Sequence, residues 1–532
     1  MNIFLGNYIM MFYNYIFNRT KTTEPKQPKQ RSITNNIKNN KCNVWYVDSD
    51  NFQYPELNYE QFNNKKDIGI ALPSGGLRAC VYSLGVLRGL QHLGILQETK
   101  YITSVSGSSW LTSIFSYQDI TSNDIFLGKY IEPENITLDK LSNIQNPYEF
   151  TSVLYGALPW LNYLKYLIIY LVYRPINKNM DDLWTQVLGG IMYDKYKLND
   201  FTLMPNISNI YNFNTIKLRG DVPLPIIIGY VDNVISNTFI EFTPLYYGMP
   251  IKNNAINGTG IYIEPIGMLS ITQNILDNKQ LSFNISTNNN VISIMKSACI
   301  SSNIIPIQLA KIGLSLTDID YIGFNSIKFL NQKLHMMDGA MIDEHTGITS
   351  LIKRRVQNII FVCTILANEN VLNTNEQMIR GNTLLYTYFD QKSPNYIFDE
   401  TQYKILLDKM IELGNNNKPI VVQMQMNIVF NNIYGIVYDD DYKPTVTFIH
   451  PSKNEWLDKI HITCKNYINN NQQNNCITRL LSLFSLISAN FKDFPYTSFY
   501  HQKYSLELVN AMSQNAAYDV ITSFDKLNFD VK

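Results

Sequence analysis

Two strand-turn-helix units follow one another between residues 67 and 117, and both turns are built from small residues. The first strand is the apolar run Asp67-Ile68-Gly69-Ile70-Ala71-Leu72, which leads into Pro73-Ser74-Gly75-Gly76-Leu77-Arg78. Beyond it Leu77, Val81, Leu84, Leu87 and Leu90 recur at helical spacing. The second strand is Tyr101-Ile102-Thr103-Ser104-Val105, and Trp110 through Tyr117 reads as the start of a second helix. Between them stands Ser104-Val105-Ser106-Gly107-Ser108. A serine on a sharp strand-to-helix turn is the arrangement of a nucleophile elbow, and the crowded backbone there demands small residues two before and two after it. Ser104 and Ser108 meet that demand, although glycine is commoner at both places.

The glycine pair of the first turn lets backbone N–H groups converge on one point behind a helix N-terminus. That geometry binds an anion, either a phosphate or the oxyanion of an acyl-transfer intermediate. No Gly-Lys-Ser/Thr follows, so the turn is not a nucleotide P-loop, and it is not G-x-G-x-x-G either. A plain strand-to-helix turn is the alternative. A third element lies far downstream, in His335-Met336-Met337-Asp338-Gly339-Ala340, ahead of the apolar strand around Ile359-Ile360-Phe361-Val362. Taken alone it is an ordinary Asp-Gly turn.

The three elements in this order resemble the catalytic domain of the cytosolic phospholipase A2 and patatin-like lipase superfamily. Ser74-Gly75-Gly76-Leu77-Arg78-Ala79 is similar to the family's oxyanion loop and its arginine. Ser104 to Trp110 resembles its Gly-Leu-Ser-Gly-Ser-Thr-Trp elbow, and Asp338-Gly339-Ala340 its Asp-Gly-Gly/Ala motif. Asp182-Leu183-Trp184, Ile240-Glu241-Phe242-Thr243-Pro244 with Gly248-Met249, and Ser297-Ala298 resemble further blocks, with Lys296 where a glycine is usual. Phe494-Pro495-Tyr496-Thr497 and Tyr504-Ser505 look like the closing segment. The likeness is good over roughly residues 65 to 365 and fades after them. Two departures stand out: Ser104 replaces the first glycine of the elbow, and the oxyanion loop has one glycine fewer than usual.

The resemblance implies an α/β fold, a three-layer sandwich with a central, mostly parallel sheet and a helical cap or lid at about 119–218. It implies a lipid acyl hydrolase cleaving a carboxylic ester of phospholipid or lysophospholipid. Ser106 would be the nucleophile, Asp338 the base of a Ser-Asp dyad, Gly75 and Gly76 the oxyanion hole, and Arg78 a substrate-binding or loop-steadying group. Asp338 can serve as base only if a dry pocket raises its proton affinity. A Ser-Asp-His esterase is the competing reading, with His345, His450, His461 and His501 following the acid in order. An inactive membrane-binding scaffold on the same fold is the third. The resemblance brings no cofactor.

Charge and cysteine usage narrow the partners. The chain balances 44 basic against 44 acidic residues, so no global attraction to nucleic acid is expected. None of its six cysteines forms a C-x-x-C pair, and the histidines are scattered without H-E-x-x-H. Both observations argue for a reducing, cytoplasmic setting and against a metal site. The lipid substrate and a phospholipid membrane surface are the partners expected, with no obligate protein partner evident. Residues 1–17 are apolar and aromatic, too short and interrupted for a membrane span. The basic, polar linker at 18–43 follows them, so the pair reads as a peripheral interfacial anchor or as a sticky disordered tail. Residues 44–532 are expected to form one large catalytic domain. The apolar stretch 154–173 reads as a lid that touches the bilayer or as a buried core helix.

Overall fold

A computed structural model describes residues 40–47, 52–120, 122–155, 183–198, 218–232, 238–249, 261–265, 271–277, 280–285, 293–302, 320–321, 334–342, 345–363, 374–471, 491, 494–495 and 504–524. The apolar N-terminal segment 1–17, most of the linker, the 156–173 stretch, Asp182 and His501 lie outside the described residues. Residues 41–532 cluster as one compact unit.

Fourteen strands are described in chain order: β1 Asn40–Tyr46, β2 Lys66–Leu72, β3 Thr99–Val105, β4 Leu224–Asp232, β5 Thr238–Phe242, β6 Tyr247–Met249, β7 Ile261–Ile263, β8 Ile271–Asp277, β9 Gln280–Ile285, β10 Asp320–Tyr321, β11 Leu334–Asp338, β12 Asn358–Val362, β13 Ile420–Gln425 and β14 Thr445–His450. The helices that matter to the site are α1 Gly76–His92, α2 Gly107–Tyr117, α3 Leu183–Leu188, α4 Ile294–Ile300, α5 Ile348–Lys353, α6 Glu400–Asn415 and α7 Leu506–Phe524.

The centre of the sheet runs β14-β12-β2-β3-β4, with every neighbouring pair parallel. Its strands read as continuous apolar runs, the pattern of parallel strands buried on both faces. Ile68, Ile70, Ala71, Leu72, Ile102, Ile226, Ile228, Ile359, Ile360 and Val362 are all buried. Outward from β4 and β14 the pairing turns antiparallel, giving an α/β fold with a mixed sheet. The parallel centre puts Leu72 and Val105, the last residues of β2 and β3, at one edge of the sheet. Ligands of such sheets bind outside the carboxyl ends of the strands.

β4 outruns its neighbour. Its first half pairs with β3, ending at Val105 opposite Ile228, and its second half pairs with antiparallel β11, where Asp338 stands opposite Gly229. Thus β3 and β11 meet end to end along one side of β4. This junction brings residue 338 next to residue 106 across 232 positions of chain.

The packing around this centre is dense and polar in places. The first third of the expected cap, residues 123–154, is docked on α1 and α7 rather than standing off. Phe126, Phe150 and Tyr196 form an aromatic cluster there. Buried Arg88 on α1 donates to Leu127 O (2.9 Å), Ser513 Oγ (3.1 Å) and Glu149 Oε1 (3.3 Å), tying segment, helix and α7 together. The Arg354 side chain is likewise fully buried, bonded to Glu56 and Glu241, with Tyr246 and Tyr262 completing the cluster. Glu241 therefore belongs to the structural core, and removing one partner of such a buried pair costs about 3–5 kcal/mol. Cys80, Cys299, Cys363 and Cys464 are buried, and none of them is in a disulfide.

Alternation over 420–431, 434–438 and 445–449 predicts hairpin strands. The first and last form β13 and β14, which pair antiparallel across a long connection, while 434–438 forms no strand. Between 420–431 and 434–438 only the Asn431–Ile436 bridge forms among the described residues. Tyr434 is pulled into the core beneath that bridge, and Met426 N bonds instead to Pro444 O (2.9 Å).

Candidate active site

Ser106 occupies the junction between β3 and α2 with φ 53° and ψ −125°. A non-glycine residue in that region costs about 1–3 kcal/mol and persists only where its surroundings enforce it. The enforcement is visible. Ser106 N donates to Ser301 Oγ (2.9 Å), and Ser301 Oγ donates to Ile228 O (2.5 Å), bridging the elbow to β4. Ser108 Oγ donates to Pro73 O (2.5 Å) and lies 3.0 Å from Ser83 Oγ, tying the elbow to the neighbouring turn and to α1. The small residue expected two positions after Ser106 thus also carries a bond that glycine lacks.

Asp338 is the last residue of β11 and is fully buried. Its Oδ2 accepts from Ser106 Oγ at 3.0 Å, and its Oδ1 accepts from Ala340 N at 3.0 Å. One carboxylate oxygen is anchored by the backbone, which aims the other at the serine. Ser106 itself is 4% exposed.

Gly75 and Gly76 form the turn into α1 with φ 132° and 63°. Both values lie where side chains are strained, so glycine is what allows the chain to leave β2 and enter the helix so abruptly. Gly107 packs against this turn so closely that a Cβ on it would collide with the Gly76 carbonyl. The N-termini of α1 and α2 therefore converge beside Ser106, and both helix dipoles favour negative charge there. Arg78 lies in the first turn of α1 and is buried, with 8% exposure.

Three of the candidate histidines lie among the described residues, and their ring nitrogens are placed as follows. His345 Nδ1 is 3.0 Å from Ser74 Oγ. His450 Nδ1 is 2.8 Å from Pro451 O, and burial holds its ring down at a pKa of about 4. His461 is bonded to Thr463. Sequence reasoning missed Ser301 and Ser302, just past α4. Ser302 Oγ accepts from Trp110 Nε1 (2.8 Å) and from Trp184 Nε1 (3.3 Å), so one hydroxyl joins the elbow helix to α3. The Ser297-Ala298 and Leu183-Trp184 blocks thus act as scaffolding for the elbow. Only their resemblance to the family marks them in the sequence.

Residues 68–256 match the family described as the lysophospholipase catalytic domain. The resemblance to the phospholipase superfamily holds. Lysophospholipase 2 of Saccharomyces cerevisiae is 24% identical over 211 residues, 35% of this chain and 28% of that protein. A lysophospholipase of Torulaspora delbrueckii is 24% identical over 227 residues, 37% of this chain and 32% of that one. The match spans less than a third of the length of either curated relative. Among solved structures, human GIVD cytosolic phospholipase A2 is similar with a TM-score of 0.49 and 13% identity, over 87% of this chain and 62% of that one. Its complex with methyl gamma-linolenyl fluorophosphonate is similar with a TM-score of 0.45 and 15% identity, over 87% of this chain and 58% of that one.

Proposed function

We propose that this protein is a lipid acyl hydrolase that cleaves a carboxylic ester of phospholipid or lysophospholipid through a Ser106–Asp338 dyad. The observation that carries this reading is the 3.0 Å hydrogen bond from Ser106 Oγ to Asp338 Oδ2 at a strained elbow beside two helix N-termini. A serine hydroxyl attacks an ester only when a base takes its proton. Asp338 Oδ2 accepts that proton as Oγ bonds to the carbonyl carbon. The N–H groups of the Gly75-Gly76 turn stabilise the oxyanion, and losing one such donor costs about 3 kcal/mol of transition-state stabilisation. The tetrahedral adduct expels the glycerol-side alcohol, which leaves with the proton from Asp338, and acyl-Ser106 remains. Water then gives a proton to Asp338 and its oxygen to the acyl carbon, and fatty acid departs as the proton returns to Ser106 Oγ.

Arg78, buried in the first turn of α1, is the residue assigned to the lipid phosphate or to steadying the turn. The catalytic domain is taken as 44–532, acting peripherally at a cytoplasmic membrane surface. Among the described residues no helix is long and apolar enough to cross a membrane. The bonds made by His345, His450 and His461 favour the dyad over a Ser-Asp-His triad, since Asp338 Oδ2 faces the serine itself.

The test compares wild type with Ser106→Ala and Asp338→Asn, following fatty-acid release from mixed phospholipid vesicles with chelator present. The expected result is release by wild type alone, with both variants folded and at least about 10³-fold slower. Equal release by all three removes Ser106 as nucleophile. If no protein releases fatty acid, a fluorophosphonate probe decides further: an adduct on Ser106 means a different ester substrate, and no adduct means a scaffold.

A further inference from the structure

The turn that holds the oxyanion donors contains two consecutive glycines, the residue type that constrains its own backbone least. Something outside must hold it, and three contacts do so on three successive stretches. Ser108 Oγ fixes Pro73 O, Gly107 presses on Gly76, and His345 grips the residue between them. Ser74 N donates to His345 O at 2.6 Å, and Ser74 Oγ lies 3.0 Å from His345 Nδ1. Ser74 and His345 are both buried, so neither bond competes with bulk water.

His345 is itself held from behind. Its N–H donates to Tyr388 Oη at 3.0 Å, and Tyr388 packs edge-on against Phe361 of β12. The following residue is pinned to β3, where Thr103 Oγ1 donates to Thr346 O at 2.8 Å. The histidine therefore stands on the sheet, seven positions after Asp338, and reaches back to the other half of the site.

We propose that His345 is a positioning residue for the oxyanion-binding turn, fixing Ser74 through both its carbonyl and Nδ1 and so aiming the N–H groups of Gly75 and Gly76. This inference rests on the acyl-hydrolase reading. His345 does not act on the substrate. A misaimed turn still lets lipid bind, but it stabilises the oxyanion less, so the loss appears in turnover rather than in substrate binding. A displacement of about 1 Å at such donors costs on the order of 10²-fold.

The experiment uses the full chain and the variants His345→Asn, His345→Gln, His345→Ala and Ser74→Ala. An asparagine amide sits where Nδ1 does, whereas a glutamine amide sits where Nε2 does. The readouts are kcat and KM for fatty-acid release, and the rate of fluorophosphonate adduct formation on Ser106. Expected are a loss of about 10- to 100-fold in kcat for His345→Ala with KM within about twofold, and rescue to within a few-fold by Asn but not by Gln. Ser74→Ala should fall like His345→Ala, and the double variant should fall no further.

Equal behaviour of Asn and Gln overturns the proposal, as does a loss confined to KM. If His345→Ala does not fold, the Asn and Gln pair still decides. Loss of all activity in every His345 variant, Asn included, overturns it in favour of a general-base histidine. An inactive, unlabelled wild type overturns the acyl-hydrolase reading and this inference with it. An active wild type indifferent to all His345 substitutions overturns this inference alone.

Discussion

The turn after β2 and the turn after β3 are the same device put to opposite uses. Both leave the carboxyl end of a parallel strand and enter a helix within a few residues. At Gly75 and Gly76 the left-handed backbone is taken by residues without side chains, so nothing projects and the turn presents its own amide groups. At Ser106 the same sign of φ is forced on a residue with a side chain, and the strain holds that side chain at a fixed point. Backbone that must be presented needs glycine, whereas a side chain that must be presented needs a neighbourhood able to hold the strain. The two turns also touch, with Gly107 against Gly76 and Ser108 bonded to Pro73, so neither is positioned independently.

Gly107→Ala should break that mutual support most severely. The new Cβ would overlap the Gly76 carbonyl, which is backbone and cannot swing aside. A destabilisation of about 3 kcal/mol or more is expected, with loss of adduct formation at Ser106 even in molecules that remain folded. Denaturant unfolding monitored beside probe labelling measures both. A variant with unchanged stability and labelling would show that the two turns are not coupled through this contact.

Ser301→Ala probes the other side of the comparison, the neighbourhood that enforces Ser106. It removes the acceptor for Ser106 N and the donor to Ile228 O, both buried. Leaving such groups unsatisfied costs about 1–3 kcal/mol. If Ser301 holds the strain, activity should fall further than stability alone explains, because Ser106 can relax away from Asp338. Activity measured well below the melting temperature separates the two effects. Full activity in a destabilised variant would mean that the elbow holds its own shape.

What was legible in the sequence follows from how local each signal is. Both turns are spelled out within a dozen residues by apolar strands, small residues and helical periodicity, so Gly75, Gly76 and Ser106 could be named from the chain. Asp338 was legible through its motif, but its arrival at Ser106 depends on β11 meeting β3 end to end along β4, which no local pattern encodes. The supports were silent for the same reason. Ser301 and Ser302 are two serines after a short helix, and His345 reads as a candidate base until Ser74 is seen against its Nδ1. The 420–449 region shows the converse: alternation predicts strands and not which two pair, since β13 takes β14 as its partner and 434–438 forms no strand.

The smallest expected effect concerns Ser104, the position two before Ser106 where glycine is commoner. Ser108, its counterpart two after, bonds Pro73 O. The Ser104 hydroxyl is fully buried and has no hydrogen-bond partner among the described residues. The two flanking serines are therefore alike in size and unlike in function, one a tether and the other only small. A buried hydroxyl without a partner costs desolvation and returns nothing. Ser104→Ala should accordingly raise stability by up to about 1 kcal/mol and leave fatty-acid release unchanged. Ser108→Ala, by contrast, should lower both. A thermal shift measured on the pair reads the difference directly. Destabilisation by Ser104→Ala would mean that the hydroxyl is satisfied by a bound water, and the elbow would then have a polar support on both flanks.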